Sequence, residues 1–142
     1  MNTLQQIIEK MEWFADHSAA ISEYNCDDFT RFAASDHDYP LLWTTPLSMR
    51  ITDGQISWVT QVSFMDTVHE KQDMIKTLSD VGITVAEFFA YLSVEADDCY
   101  FYLVTDTVFT PFFRQVDNVT GWQGEAVFNT KYLADTNTIR WS

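Results

Sequence analysis

The sequence predicts an α+β fold in one domain spanning residues 1–142, with an N-terminal helix, a long β-hairpin, a central helix packed on a mainly antiparallel sheet, and C-terminal strands. Three observations lead to this. Two extended runs flank an Asp53-Gly54 pair, two segments carry apolar residues at helical spacing, and the last third alternates short apolar runs with turn residues. A chain of 142 residues fits one domain with a single core. No composition shift, internal repeat or low-complexity run marks a boundary.

The first helix opens on Thr3 and Gln6, a capping-box pair in which hydroxyl and amide side chains satisfy each other's orphan donors. Leu4, Ile7, Ile8, Met11, Phe14 and Ala15 then form one apolar stripe, and the helix is expected to run to about Ser22. Residues 23–38, EYNCDDFTRFAASDHD, read as a solvated acidic loop whose Phe29 and Phe32 are free to contact a neighbour. Neither Asp27-Asp28 nor Asp36-His37-Asp38 has the alternating oxygen ligands and turn glycine of a calcium site.

The hairpin is the organising stretch. Asp53-Gly54 favours a type I′ turn, whose twist matches that of the flanking strands. After it, Ile56, Trp58, Thr60, Val62 and Phe64 share one parity and point to the core. Gln55, Ser57, Gln61 and Ser63, with Val59 and Met65 among them, share the other and look outward. At about 3.4 Å per residue this strand spans roughly 45 Å, long enough to project beyond a small domain. Pro40 and Pro46 cannot donate to a ladder, so Pro46 marks an edge position or a bulge.

Thr67 and Glu70 repeat the capping-box pattern and are expected to start the main helix. Met74, Leu78, Val81, Val85, Phe88 and Leu92 give it an apolar face that lids the Trp58/Phe64 face of the hairpin. Gly82 in mid-helix costs about 1 kcal/mol against Ala, so it serves close packing or a bend. The helix is expected to end at residues 95–98. Residues 99–105, CYFYLVT, read as a short central strand because they are apolar on both sides. VFTPFFRQVDNV follows, with Pro111 marking another edge or bulge. In the last strand Trp122, Gly124, Ala126 and Phe128 share a parity. The tail is polar apart from Ile139 and Trp141, the latter held in its own domain or by the next subunit.

Charge and motifs exclude several function classes. A net charge of −13, from 21 acidic and 8 basic side chains, opposes wrapping the outside of a nucleic acid or docking on an anionic membrane. It suits a surface past which DNA slides without sticking, and it also keeps an aromatic-rich chain soluble. No apolar stretch approaches the roughly 20 residues of a membrane span, and MNTLQQIIEK is not a signal peptide, so synthesis in the cytoplasm is expected. Cys26 and Cys99 have no metal-type spacing and are read as free thiols, with a disulfide between them left open. His17, His37 and His69 lie far apart, and no zinc motif, GxSxG, Walker A or GxGxxG is present. Cys99 sits in an apolar run where a thiolate is disfavoured. Tyr100-Phe101-Tyr102 and Phe112-Phe113 lack the neighbouring Lys and Arg of base-stacking surfaces. No catalytic residue, metal ligand or cofactor site is therefore expected.

The order of elements, together with three phrases, resembles small tail-terminator and neck proteins of tailed bacteriophages, in particular a group from phages of Bacteroidetes-type hosts. The phrases are Tyr39-Pro40-Leu41-Leu42-Trp43, Leu78-Ser79-Asp80, and Pro111-Phe112 followed by Asp117-Asn118-Val119-Thr120-Gly121-Trp122. The resemblance spans nearly the whole chain. It implies a virion structural protein without catalysis, made in the host cytoplasm and assembled in the tail or neck. Such proteins form a homo-oligomeric ring, usually of six subunits, between the head connector and the tail tube. The ring ends the tube, joins tail to head and passes DNA through its lumen. Heterologous interfaces close into such rings when the rotation permits. The expected subunit interface comprises Phe29, Phe32, Gln55, Ser57, Val59, Gln61, Ser63, Met65 and Trp141. The alternative is a small acidic adaptor or inhibitor that binds a host or phage protein through an exposed edge strand.

Overall fold

Ten elements follow one another in the computed structural model, which describes residues 4–34, 36–52, 54–99, 101–103, 107–114 and 118–131. They are α1 (Leu4–His17), β1 (Glu23–Cys26), a 3-10 helix (Phe29–Ala34), β2 (Leu41–Thr52), β3 (Gln55–Thr67), a 3-10 turn (Lys71–Asp73), α2 (Met74–Cys99), β4 (Phe101–Leu103), β5 (Phe109–Arg114) and β6 (Val119–Lys131). The fold is α+β. The six strands form one sheet in the order β1-β2-β3-β6-β4, with β5 also on β6. Every pairing is antiparallel except β1 with β2.

β2 and β3 are joined at residues 53–54, where Gly54 has φ +74°, a left-handed conformation that glycine adopts without steric cost. Asp53 lies outside the described residues. A bulge between Pro46 and Ser48 interrupts the β2–β3 register, as a residue unable to donate a ladder bond requires. β6 pairs with β3 along its whole length. Its opposite edge carries β5 at Val119–Gly124 and β4 at Phe128–Thr130.

The two helices cover one face of the sheet. Ile7, Met11 and Phe14 of α1 and Val81, Phe88 and Leu92 of α2 are buried against Leu42, Val62, Phe64, Ala126 and Phe128. Phe88 meets Phe64 edge-on at 5.1 Å and Phe14 at 5.4 Å. Trp58 packs at the border of this core. Gly82 serves close packing: a Cβ there would lie 3.4 Å from the indole nitrogen of Trp122. A second, smaller core sits on the opposite face, where Phe32 is buried with Leu41, Trp43, Met65 and Val119.

Several local expectations are corrected. α1 stops at His17, short of Ser22, because the Ser18 hydroxyl accepts the Ala20 amide and turns the chain out of the helix. Residues 23–38 are not a solvated loop; they hold β1 and the 3-10 helix. The Thr67/Glu70 pattern does not cap a helix, since β3 runs through Thr67 and α2 begins at Met74 after a 3-10 turn in which Asp73 N donates to Glu70 O. α2 continues to Cys99, and β4 is an end strand with β6 as its described partner, not a central one. Residues Met74–Val94 of α2 are, by length and composition alone, apolar enough to cross a membrane (mean hydropathy 1.2), against the expectation that no stretch approaches this. In the fold their inner face is buried on the sheet. Thr3 and the whole tail from residue 132 lie outside the described residues.

Candidate functional site

The sequence-derived interface set splits into two groups. Phe32, Ser63 and Met65 are buried inside the subunit, so they are removed from any interface. The physical reason is the 3-10 helix, which folds over the near end of the face that alternation alone assigned to the outside. Gln55, Ser57, Val59 and Gln61 remain half-buried on the part of that face beyond the 3-10 helix. Phe29 is half-buried at the margin of the small core, stacked on Phe32 at 5.3 Å and edge-on to Trp43 at 6.0 Å. Trp141 lies outside the described residues.

A histidine that spacing gave no reason to single out holds the 3-10 helix in place. His37 Nδ1 is 2.7 Å from Glu23 Oε2 on β1, and its Nε2 is 2.6 Å from Phe32 O. Both ring nitrogens lie within hydrogen-bonding distance of an oxygen, so the ring ties β1 to the 3-10 helix. The ring stacks on Phe32 at 4.8 Å, and the Arg114 guanidinium lies 4.6 Å over the same phenyl ring. Burial pushes the Glu23 carboxyl up, but the Asp38 amide and the side chains of His37 and Asn25 outweigh it and hold Glu23 below its ordinary 4.5.

Beyond this clamp no further helix of the described residues covers this sheet face. Ser57 Oγ donates to Asn129 Oδ1 at 2.7 Å, Gln123 Nε2 donates to Ser63 Oγ at 3.1 Å, and Val59 lies beside Val127 in register. Next to them a shallow trough of ≈ 430 Å³ is lined by Gln61, Thr110, Gln123 and Glu125 among others. This is a hydroxyl- and amide-rich surface with a narrow apolar strip. A narrower cleft of ≈ 130 Å³ opens between α2 and the start of the hairpin, over Leu41, Phe64 and Val81.

The distal hairpin is barer still. β1 pairs with β2 only along Leu41–Thr44, and Thr45 Oγ1 donates to Asp27 O just beyond it, so among the described residues no strand pairs with the outer edge of β2 from Pro46 to Ile51. Every residue from Pro46 to Thr52 is exposed, including Met49 at 52% and Ile51 at 61%. The arm is also free of carboxylates along both strands from Leu41 to Thr52 and from Gln55 to Met65. Cys26 is an exposed free thiol. Among the described residues no three His, Cys, Asp or Glu side chains are grouped as metal ligands are. No protein-family model matches the chain, and no curated protein matches it.

Proposed function

We propose that the chain is a virion structural protein that assembles into a ring at the head-tail joint of a tailed bacteriophage, as a tail terminator or neck component. The observation that carries this reading is the hairpin arm. Seven consecutive residues, Pro46 to Thr52, stand exposed, and from Pro46 to Ile51 β3 is the strand's one pairing partner among the described residues. A strand so placed exposes main-chain groups and apolar side chains that a partner surface would cover. The resemblance of the Tyr39–Trp43, Leu78–Asp80 and Pro111–Trp122 phrases to terminator and neck proteins supplies the setting, and six subunits the expected ring size. The net charge of −13 suits a lumen through which DNA passes without adhering. Other neck, connector and tail-tube proteins are the axial partners in this reading.

A second reading draws on the same open edge: a small acidic adaptor or inhibitor that receives a strand of a host or phage protein at Pro46–Ile51. Mass spectrometry and gold-labelled antibody imaging of purified particles separate the two. The ring reading expects a few copies per virion, located at the neck. Complete absence from particles that infect normally would overturn it.

A further inference from the structure

Among the described residues, two of the sheet's unpaired strand edges are unlike each other. One is β2 from Pro46 to Ile51, and the other is the outer edge of β5, which has β6 as its described partner. Nine large apolar side chains are exposed among the described residues, and five lie at these two edges: Leu47, Met49 and Ile51 on β2, Val108 and Phe113 at β5. Val108 is 77% exposed. The remaining four are scattered over the helices, so apolar exposure on the sheet is concentrated where backbone pairing is also open.

Charge points the same way. The chain carries 21 acidic residues, yet residues 45–52 and 107–114 contain none. Two copies of a chain at −13 repel each other over most of their surface, and these edges are where they approach at least cost. Each edge holds one arginine; that of β5, Arg114, is turned over the Phe32 ring of its own subunit.

We propose that the β2 edge of one copy pairs with the β5 edge of the next, joining identical chains head to tail through a continuous sheet. This rests on the homo-oligomeric reading above and specifies its joint. Strand sense permits it. β2 is antiparallel to β3, β3 to β6 and β6 to β5, so β5 runs antiparallel to β2 and a following copy in the same orientation meets it as an antiparallel neighbour. Lengths agree as well, six residues of β2, Pro46–Ile51, against six in β5. Pro46 and Pro111 have no amide to donate, and the ladder is formed by those residues of β2 and β5 whose N–H and C=O point away from β3 and β6. Because the two edges differ, the contact is heterologous: it propagates from copy to copy and closes only as a ring.

The test uses two double variants of the full chain, Met49→Lys/Ile51→Lys for the β2 edge and Val108→Lys/Phe113→Lys for the β5 edge. Their native masses are measured alone and mixed. All four positions are exposed, and circular dichroism checks folding; Ile51→Lys and Val108→Glu alone serve if a double variant unfolds. The proposal expects each variant to be monomeric alone and an equimolar mixture to give a dimer of about 33 kDa, twice the chain mass of 16.5 kDa. Each partner then supplies the edge that the other has lost. Variants that keep the assembled mass of the unmodified chain overturn this joint and leave the ring reading standing. Self-association of the β5 variant with loss only in the β2 variant replaces head-to-tail pairing by a two-fold β2–β2 contact. An unmodified chain that is monomeric at every concentration overturns both.

Discussion

The indole nitrogen of Trp122 donates to the main-chain oxygen of Leu78 at 2.8 Å, fastening β6 to α2 through the gap left by Gly82. Leu78 O is also the helix acceptor for the amide four residues on, so the sheet strand adds a second bond to a helical carbonyl. Trp122→Phe keeps a large ring in the slot but deletes the donor. A loss of about 1 kcal/mol in urea unfolding is expected. Gly82→Leu is expected to cost more, since its side chain must displace the indole, whereas Gly82→Ala sits at ordinary contact distance and is tolerated.

Thr60 lies in the main core with 0% exposure, and among the described residues its hydroxyl has no hydrogen-bond partner. It occupies a β3 position whose same-face neighbours, Trp58, Val62 and Phe64, are apolar. Thr60→Val preserves the branched shape and removes the unpaired hydroxyl. It is expected to raise stability by about 1 kcal/mol, read as a higher denaturation midpoint at unchanged slope.

Glu23 gives an acid-side prediction. Its folded pKa lies below its ordinary value, so the unfolded chain binds the proton more readily as pH falls through and below 4.5. The stability it contributes is therefore complete above 4.5 and lost towards lower pH, through the lowered folded value. Glu23→Gln should make unfolding less steeply pH-dependent on the acid side while leaving the neutral-pH fold intact. The check is a set of chemical denaturation curves from neutral to acid pH.

How much of this was legible in the sequence depends on the range of the forces involved. The hairpin, the helix stripes and the Pro46 bulge follow from alternation, Asp-Gly chemistry and a missing amide, all local properties. Residues 23–38 did not, because β1 is stabilised by pairing with β2 far along the chain, and the 3-10 helix by His37 reaching Glu23 and Phe32 O. Periodicity carries no record of such contacts. The same blindness misplaced Phe32, Ser63 and Met65: alternation assigns a face, but which stretch of that face another element covers is a tertiary matter. A cue was present in the sequence, since Phe29 and Phe32 three residues apart suit a short turn that presents both rings to one side.

Val59 tests the bare face separately from the edges. It lies half-buried beside Val127 on the surface that the 3-10 helix leaves open. Val59→Lys is expected to abolish ring formation while the monomer stays folded, as judged by light scattering and circular dichroism. An unchanged oligomer would remove this face from the interface and leave the strand edges to carry the contact.

The most direct measurement of the central claim is the native mass of the purified chain across a concentration series, by light scattering coupled to size exclusion. Assembly into a ring predicts a discrete species of about 99 kDa, six chains of 16.5 kDa, that strengthens with concentration. A single 16.5 kDa species at every concentration would contradict it.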